Sequence, residues 1–175
     1  MKASVYIGTS LDGFIARKNG DIDWLVQYAS EEAIDAYHDF MKKIDVVVIG
    51  RGTYEKVLSF PTWPYDKKVF VASTSLKELS NTLKGKASIV SMTPSNILKQ
   101  LSQEGFSSAY IDGGKLIQGF LNEDLIDELI ISKVPILIGT GLPLFGELTM
   151  DLQFTHLNTI VQKNQLVRSY YTRQR

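Results

Sequence analysis

The stretch Val46-Val47-Val48-Ile49-Gly50-Arg51-Gly52-Thr53-Tyr54 decides how the rest of the chain is read. Four consecutive β-branched residues make a run of strand length that is apolar on both faces. That is the pattern of a parallel-sheet strand covered on both sides. Gly50 and Gly52 close the run and open a turn, after which a short helix begins. Glycine lets a backbone approach a ligand closely, and the first amides of a helix have no partner within it, so they offer donors to an anion. Arg51 adds a planar fork suited to phosphate, and Thr53 adds a hydroxyl. The same residues also describe a plain tight turn carrying a surface arginine.

Working outward, apolar runs of strand length recur between helical stretches. Val5-Tyr6-Ile7 opens the first strand, and Val69-Phe70-Val71-Ala72, Ser88-Ile89-Val90 and Ala109-Tyr110-Ile111 follow at intervals that leave room for helices. Leu129-Ile130-Ile131 and the run from Val134 to Ile138 are expected to continue the sheet. From Phe154 to Thr172 the pattern alternates, as in an antiparallel pair at one edge. Ser30 followed by Glu31 and Glu32 marks a helix start, with Ala33, Ala36, Tyr37, Phe40 and Met41 on its apolar face. Thr93-Pro94 marks a second, with Ile97, Leu98 and Leu101 as its buried stripe, and Lys115 to Leu121 a third. Alternating strands and helices followed by terminal strands predict a three-layer α/β fold whose sheet is mostly parallel with an antiparallel end.

Two further turns leave predicted buried strands. Ile111-Asp112-Gly113-Gly114-Lys115-Leu116-Ile117 sets a glycine pair between a strand and a helix, either as an amide-lined anion pocket or as a close junction that admits only glycine. Ala72-Ser73-Thr74-Ser75 is a hydroxyl cluster able to bind a ribose phosphate or to cap the next helix. All three turns sit at carboxyl ends of strands, the edge where open α/β sheets bind ligands. Neither GxGxxG nor the P-loop pattern GxxxxGK[ST] occurs.

Composition removes other classes of function. Nineteen basic and nineteen acidic residues cancel, so no overall field favours nucleic acid or an anionic membrane. The absence of cysteine excludes disulfides, thiolate nucleophiles and cysteine-based zinc sites. His38 and His156 stand alone, and no metal site is expected. The first residues alternate like a strand, and no apolar run approaches the ~20 residues that span a bilayer. A cytoplasmic protein of one domain, residues 1–175, is expected, with a homodimer formed through the hydrophobic C-terminal strands.

The ordered motifs carry a family resemblance. Val48-Ile49-Gly50-Arg51-Gly52-Thr53-Tyr54-Glu55 resembles the element of dihydrofolate reductases that grips the NADPH phosphates. Ser10-Leu11-Asp12-Gly13-Phe14-Ile15-Ala16 is similar to the opening of RibD C-terminal domains, the reductase half of riboflavin biosynthesis. Asp112-Gly113-Gly114, with Leu125-Ile126-Asp127-Glu128 downstream, resembles that family's second glycine turn, and Pro135 to Gly141 its late one. The resemblance implies a dihydrofolate reductase-like fold and an NADPH-dependent reductase of a pterin-, folate- or pyrimidine-riboside-like substrate. An NADP(H)-binding module or sensor without efficient catalysis is the alternative. It also implies that Ile15 and Ala16 pack at the nicotinamide and that Gly50, Arg51 and Thr53 hold phosphate. Ser73 would lie near the adenosine ribose, with Gly113, Gly114, Lys115 and Leu116 along the pyrophosphate.

Hydride transfer is chemistry of the cofactor, and the protein supplies orientation, a dry pocket and a proton. Asp12 is a candidate acid or else the side chain of an Asx turn before Gly13. Asp35 is a second candidate, or an exposed helix charge. Trp24 is a candidate wall of the substrate pocket or a core aromatic, and Asp112 faces the substrate or caps the following helix.

Overall fold

The structure, a computed structural model, describes residues 1–163 and 165–175; Asn164, inside the stretch read as an antiparallel pair, lies outside the described residues. In chain order the elements are β1 (Lys2–Thr9), β2 (Phe14–Ala16), α1 (Asp23–Val26), α2 (Glu31–Met41), β3 (Val46–Gly50), α3 (Arg51–Val57), β4 (Lys68–Ala72) and β5 (Ala87–Val90). They continue with α4 (Pro94–Gln103), β6 (Ser108–Asp112), α5 (Gly114–Asn122), β7 (Glu128–Lys133), β8 (Leu142–Pro143), β9 (Phe154–Val161) and β10 (Val167–Arg173).

Eight strands form one sheet in the order β5-β4-β3-β6-β1-β7-β10-β9. The first six of that order run parallel, and β10 is antiparallel to both β7 and β9. A small antiparallel pair, β2 with β8, sits apart.

The β3 run explains the layering. Val46 and Val48 belong to a cluster with Ile97 and Leu101 of α4 and Ile117, Phe120 and Leu121 of α5. Val47 and Ile49 belong to a second cluster with Phe40 of α2 and Tyr54 and Val57 of α3. All four are 0% exposed, so alternate residues of one strand bury into opposite faces. At about 1.5–3 kcal/mol for each buried aliphatic side chain, this strand anchors the helices on both faces to the sheet.

Local signals work as expected at α2, where the Ser30 hydroxyl accepts from the Ala33 amide at 3.2 Å. At α4, Pro94 occupies the first turn, but the Thr93 hydroxyl pairs with Ser95 Oγ rather than with an amide. Two expectations fail. Val134 to Ile138 does not continue the sheet: β7 ends at Lys133, and Pro135 has no amide to donate to a ladder. That segment instead clasps the loop after β1, through Val134 N to Thr9 O (2.9 Å) and Leu11 N to Ile136 O (2.7 Å). The connection from β4 to β5 holds no α-helix, only a 3₁₀ turn at Asn81–Leu83, so Ser73 caps no helix there. No helix among the described residues is long and apolar enough to cross a membrane.

Replacing Ser30 by Ala is expected to lower stability by about 0.5–2 kcal/mol in urea titration, with the m-value unchanged.

Candidate active site

Strands β4, β3 and β6 are neighbours, with Gly50 in register with Ala72 and Ile49 in register with Asp112. The chain segments bearing Ser73, Gly50 and Gly113 therefore leave the sheet along one rim. Gly113 has φ of 109°, and a Cβ placed on it would lie 2.7 Å from Thr53 Oγ1 and 3.4 Å from Gly50 N. A Cβ on Gly114 would come within 3.0 Å of Ile15 Cδ1 and 3.1 Å of Pro143 O. Leu116 Cβ lies 3.7 Å from where a Gly50 Cβ would be. The loop after β1, the β3 turn and the β6 turn thus converge on one point.

Both helices that start here, α3 and α5, have glycine as N-cap, so no cap side chain occupies their first amides. Helix starts carry roughly +0.5 of an elementary charge, and two of them side by side favour an anion between them.

On the outer side of this rim, Arg51 is exposed and donates from Nε to Glu55 (2.6 Å) and from its terminal nitrogen to Ser75 Oγ (2.9 Å). The Ser73 hydroxyl accepts from the amides of Leu76 (3.0 Å) and Ser75 (3.3 Å), closing a turn. Lys115 is exposed on the first turn of α5. Arg51, Ser73 and Ser75 form one hydroxyl-and-cation patch, with Glu55 offsetting part of its charge.

The loop after β1 is pinned at several points. Asp12 is exposed but not free: it accepts from Ser10 Oγ (2.6 Å), Gly139 N (2.8 Å) and Ile138 N (3.3 Å). The Ser10 hydroxyl, reinforced by the Gly139 and Ile138 amides, holds its carboxyl below the ordinary value. An acid stabilised as its anion is a poor proton donor near neutrality, and these hydrogen bonds make Asp12 a clasp between two loops. Arg17 makes a two-pronged pair with Asp23 (2.6 and 2.9 Å), and Lys56 of α3 reaches Asp21 (2.7 Å). Ile15 ends up against Gly114, while Ala16 is buried and pairs with Leu142.

The acid with the opposite character is Asp112, at the end of β6. Burial pushes its carboxyl up to about 6, although hydrogen bonding from Tyr65 pulls the other way. Tyr65 donates to Asp112 Oδ2 at 3.3 Å, and Tyr37, Tyr65 and Tyr110 are all shifted upward, first by their burial and next by the Asp112 charge. Trp63 stacks edge-on against Tyr65 at 5.4 Å, and its indole nitrogen is buried with no partner among the described residues. Asp112 does not cap α5, whose N-cap is Gly113.

Two sequence candidates lie elsewhere. Asp35 is on the exposed side of α2, where its charge acts on Lys42, and contributes nothing to this rim. Trp24 is 2% exposed in a small cluster with Val134 and Leu166, so it packs the interior and offers no wall.

Comparison with known proteins decides the family. The model of the RibD C-terminal domain matches residues 4–166. The chain belongs to the RibD C-terminal domain family. Over 98% of both chains it is 38% identical to uncharacterized protein YwjB of Bacillus subtilis (strain 168). It superposes on a putative riboflavin biosynthesis protein from Shewanella sp. PV-4 with a TM-score of 0.94 and 42% identity, covering 100% of each chain. The fold alone is shared with a dihydrofolate reductase from Enterococcus faecalis complexed with NADP(H), at a TM-score of 0.71 and 13% identity over 99% of this chain and 97% of that one.

In this RibD C-terminal domain the tyrosines around Asp112 escaped the reading of the sequence. Tyr37, Tyr65 and Tyr110 come from α2, a loop and β6, and no spacing links them. The one available signal is that Tyr110 and Asp112 are two apart on a strand and so share a face.

Two measurements check this geometry. Gly113→Ala is expected to cost about 1–3 kcal/mol in urea titration, from its backbone angle together with the Thr53 contact. Adding Thr53→Ala is expected to recover only the contact part. For Asp12→Asn, the depressed carboxyl means the wild type holds its advantage above the ordinary carboxylate range. The difference in melting temperature between the two proteins is expected to vanish as pH falls through and below that range.

Proposed function

We propose that this protein is an NADPH-dependent reductase acting on a small heterocyclic or carbonyl compound. The observation that carries the reading is the abutment of two glycine-capped helix starts at Gly50 and Gly113, so close that a side chain at Gly113 would meet Thr53. That cradle suits the pyrophosphate of a dinucleotide, with amides and glycines where oxygens must come close. In this reading Gly50, Thr53, Gly113, Gly114, Lys115 and Leu116 hold the pyrophosphate. Arg51, Ser73 and Ser75 would receive a 2′-phosphate, which favours NADPH over NADH. Ile15 and Ala16 would pack against the nicotinamide.

When bound, the cofactor supplies the hydride. The chain's own residues do the rest. Asp112 is the proton donor in this reading, since an acid titrating at about 6 is partly protonated near neutrality and can give a proton up. Tyr65 orients its carboxyl through the 3.3 Å hydrogen bond. The rings of Tyr37 and Tyr65 limit water around the acid and offer faces to a planar substrate.

Fluorescence titration is expected to show NADPH binding more tightly than NADH, with Arg51→Ala erasing much of the difference. Asp112→Asn is expected to leave NADPH affinity within a few fold while lowering turnover by about 10²–10⁴. The protonated acid is the active form, so wild-type kcat should fall as pH rises through about 6, and the variant should lose that limb. Binding of neither nucleotide would overturn the reading, and binding without any turnover across pterin, folate and pyrimidine-riboside substrates would leave a binding module.

A further inference from the structure

A second site lies on the sheet away from the glycine rim. A cavity of about 520 Å³ sits between α2 and the strands β1, β7, β10 and β9, with Arg168 of β10 in its lining. Arg168 is 2% exposed and is among the largest fully buried side chains of the protein. Its Nε donates to Ser132 Oγ at 3.0 Å, and its Cζ lies 5.3 Å from the centre of the Tyr6 ring. Among the described residues no carboxylate lies within ion-pair distance of it.

The acids that line the same cavity are paired with other residues or exposed to water. Glu128 is paired with Lys2 at 3.2 Å and accepts from Ser4 Oγ at 3.1 Å, and Asp39 is paired with Lys42 at 2.7 Å. Glu32 is exposed at the start of α2. One further polar atom of a lining residue, Gln162 Oε1, is buried without a partner among the described residues. A buried cation is costly unless a counter-charge meets it, and a hydroxyl and a ring face do not supply a charge. The rest of the wall is mixed: Phe40, Ile44, Ile130, Ile160 and Val161 supply apolar surface, and Lys2, Lys43 and Ser108 supply polar groups.

We infer that this cavity binds a small monocarboxylate with an apolar body, its carboxylate held by Arg168 and its body against Phe40 and Ile130. One buried guanidinium matches one negative charge, and its fork matches the two oxygens of a carboxylate. A dianionic phosphate would bring a second charge next to Glu128. The volume lies within the range of small-molecule pockets. Phe40 and Tyr6 adjoin Tyr110 and Tyr37 of the Asp112 cluster, but Arg168 belongs neither to that cluster nor to the glycine rim, and the test below reads no turnover.

The test is the melting temperature of the full chain with increasing sodium benzoate, against sodium chloride at equal ionic strength and against inorganic phosphate. The expected result is a saturable rise of about 3–6 °C at tenfold excess over the midpoint concentration, with no comparable rise in phosphate. Arg168→Met is expected to abolish the rise. Ala36→Leu, which intrudes on the cavity from the α2 side, is expected to abolish it too, and covers the case in which Arg168→Met does not fold. No rise beyond the chloride control, a rise in phosphate alone, or a rise retained in Ala36→Leu would each overturn the assignment. So would a wild-type dimer in sedimentation that Glu32→Gln converts to monomer while benzoate has no effect, because the carboxylate would then come from a second copy.

Discussion

The close approach of Gly113 to Gly50 and Thr53 is the constraint on which the candidate active site depends. It follows from parallel pairing of β3 and β6 with Ile49 opposite Asp112, which brings two strand-to-helix turns to the same height. At that height there is no room for a side chain between them. The result is two glycine-capped helix starts side by side, an arrangement whose field favours negative charge. Arg51, Ser73 and Ser75 extend that preference outward along the rim without being needed to create it.

Two aspartates at the same edge of the sheet show how surroundings divide one chemistry into two roles. Asp12 accepts two amides and a hydroxyl while open to water, and so is held as an anion that ties the β1 loop to residues 138–139. Asp112 is half-buried among tyrosines, where its charge is less well solvated, and so keeps its proton to a higher pH. A carboxyl that must donate near neutrality is better placed in the second setting. The hydrophobic wrapping around Asp112 is therefore as much a part of its chemistry as the oxygen atoms themselves.

The sheet is also unevenly covered. Its β5-to-β1 half is sealed by α2 and α3 on one face and by α4 and α5 on the other. The β7-β10-β9 half extends past them and ends in an edge strand with Leu157, Ile160 and Val161 exposed, the last at 70%. Where α2 stops covering the sheet, a cavity remains with a fully buried arginine in its wall. The exposed apolar edge is what the alternating C-terminal residues had suggested, and the arginine is what they concealed.

Periodicity and glycine placement were enough to establish the α/β class, the antiparallel end and the three turns at the carboxyl edge. These features are local: a β-branched run such as Val46 to Ile49, a cap such as Ser30 and a glycine pair such as Gly113-Gly114 each act within a few residues. The order of the motifs along the chain was readable directly. The roles of the acids were not, because the ionisation of a carboxyl depends on what surrounds it in space. Asp12 meets Gly139, 127 positions away, and Asp112 meets Tyr65, 47 positions away. Trp24 and Asp35 were left with two readings each, and Arg168 was passed over, on the same ground. An aromatic or a charge on its own says little until packing decides whether water, a ring or a counter-charge stands next to it.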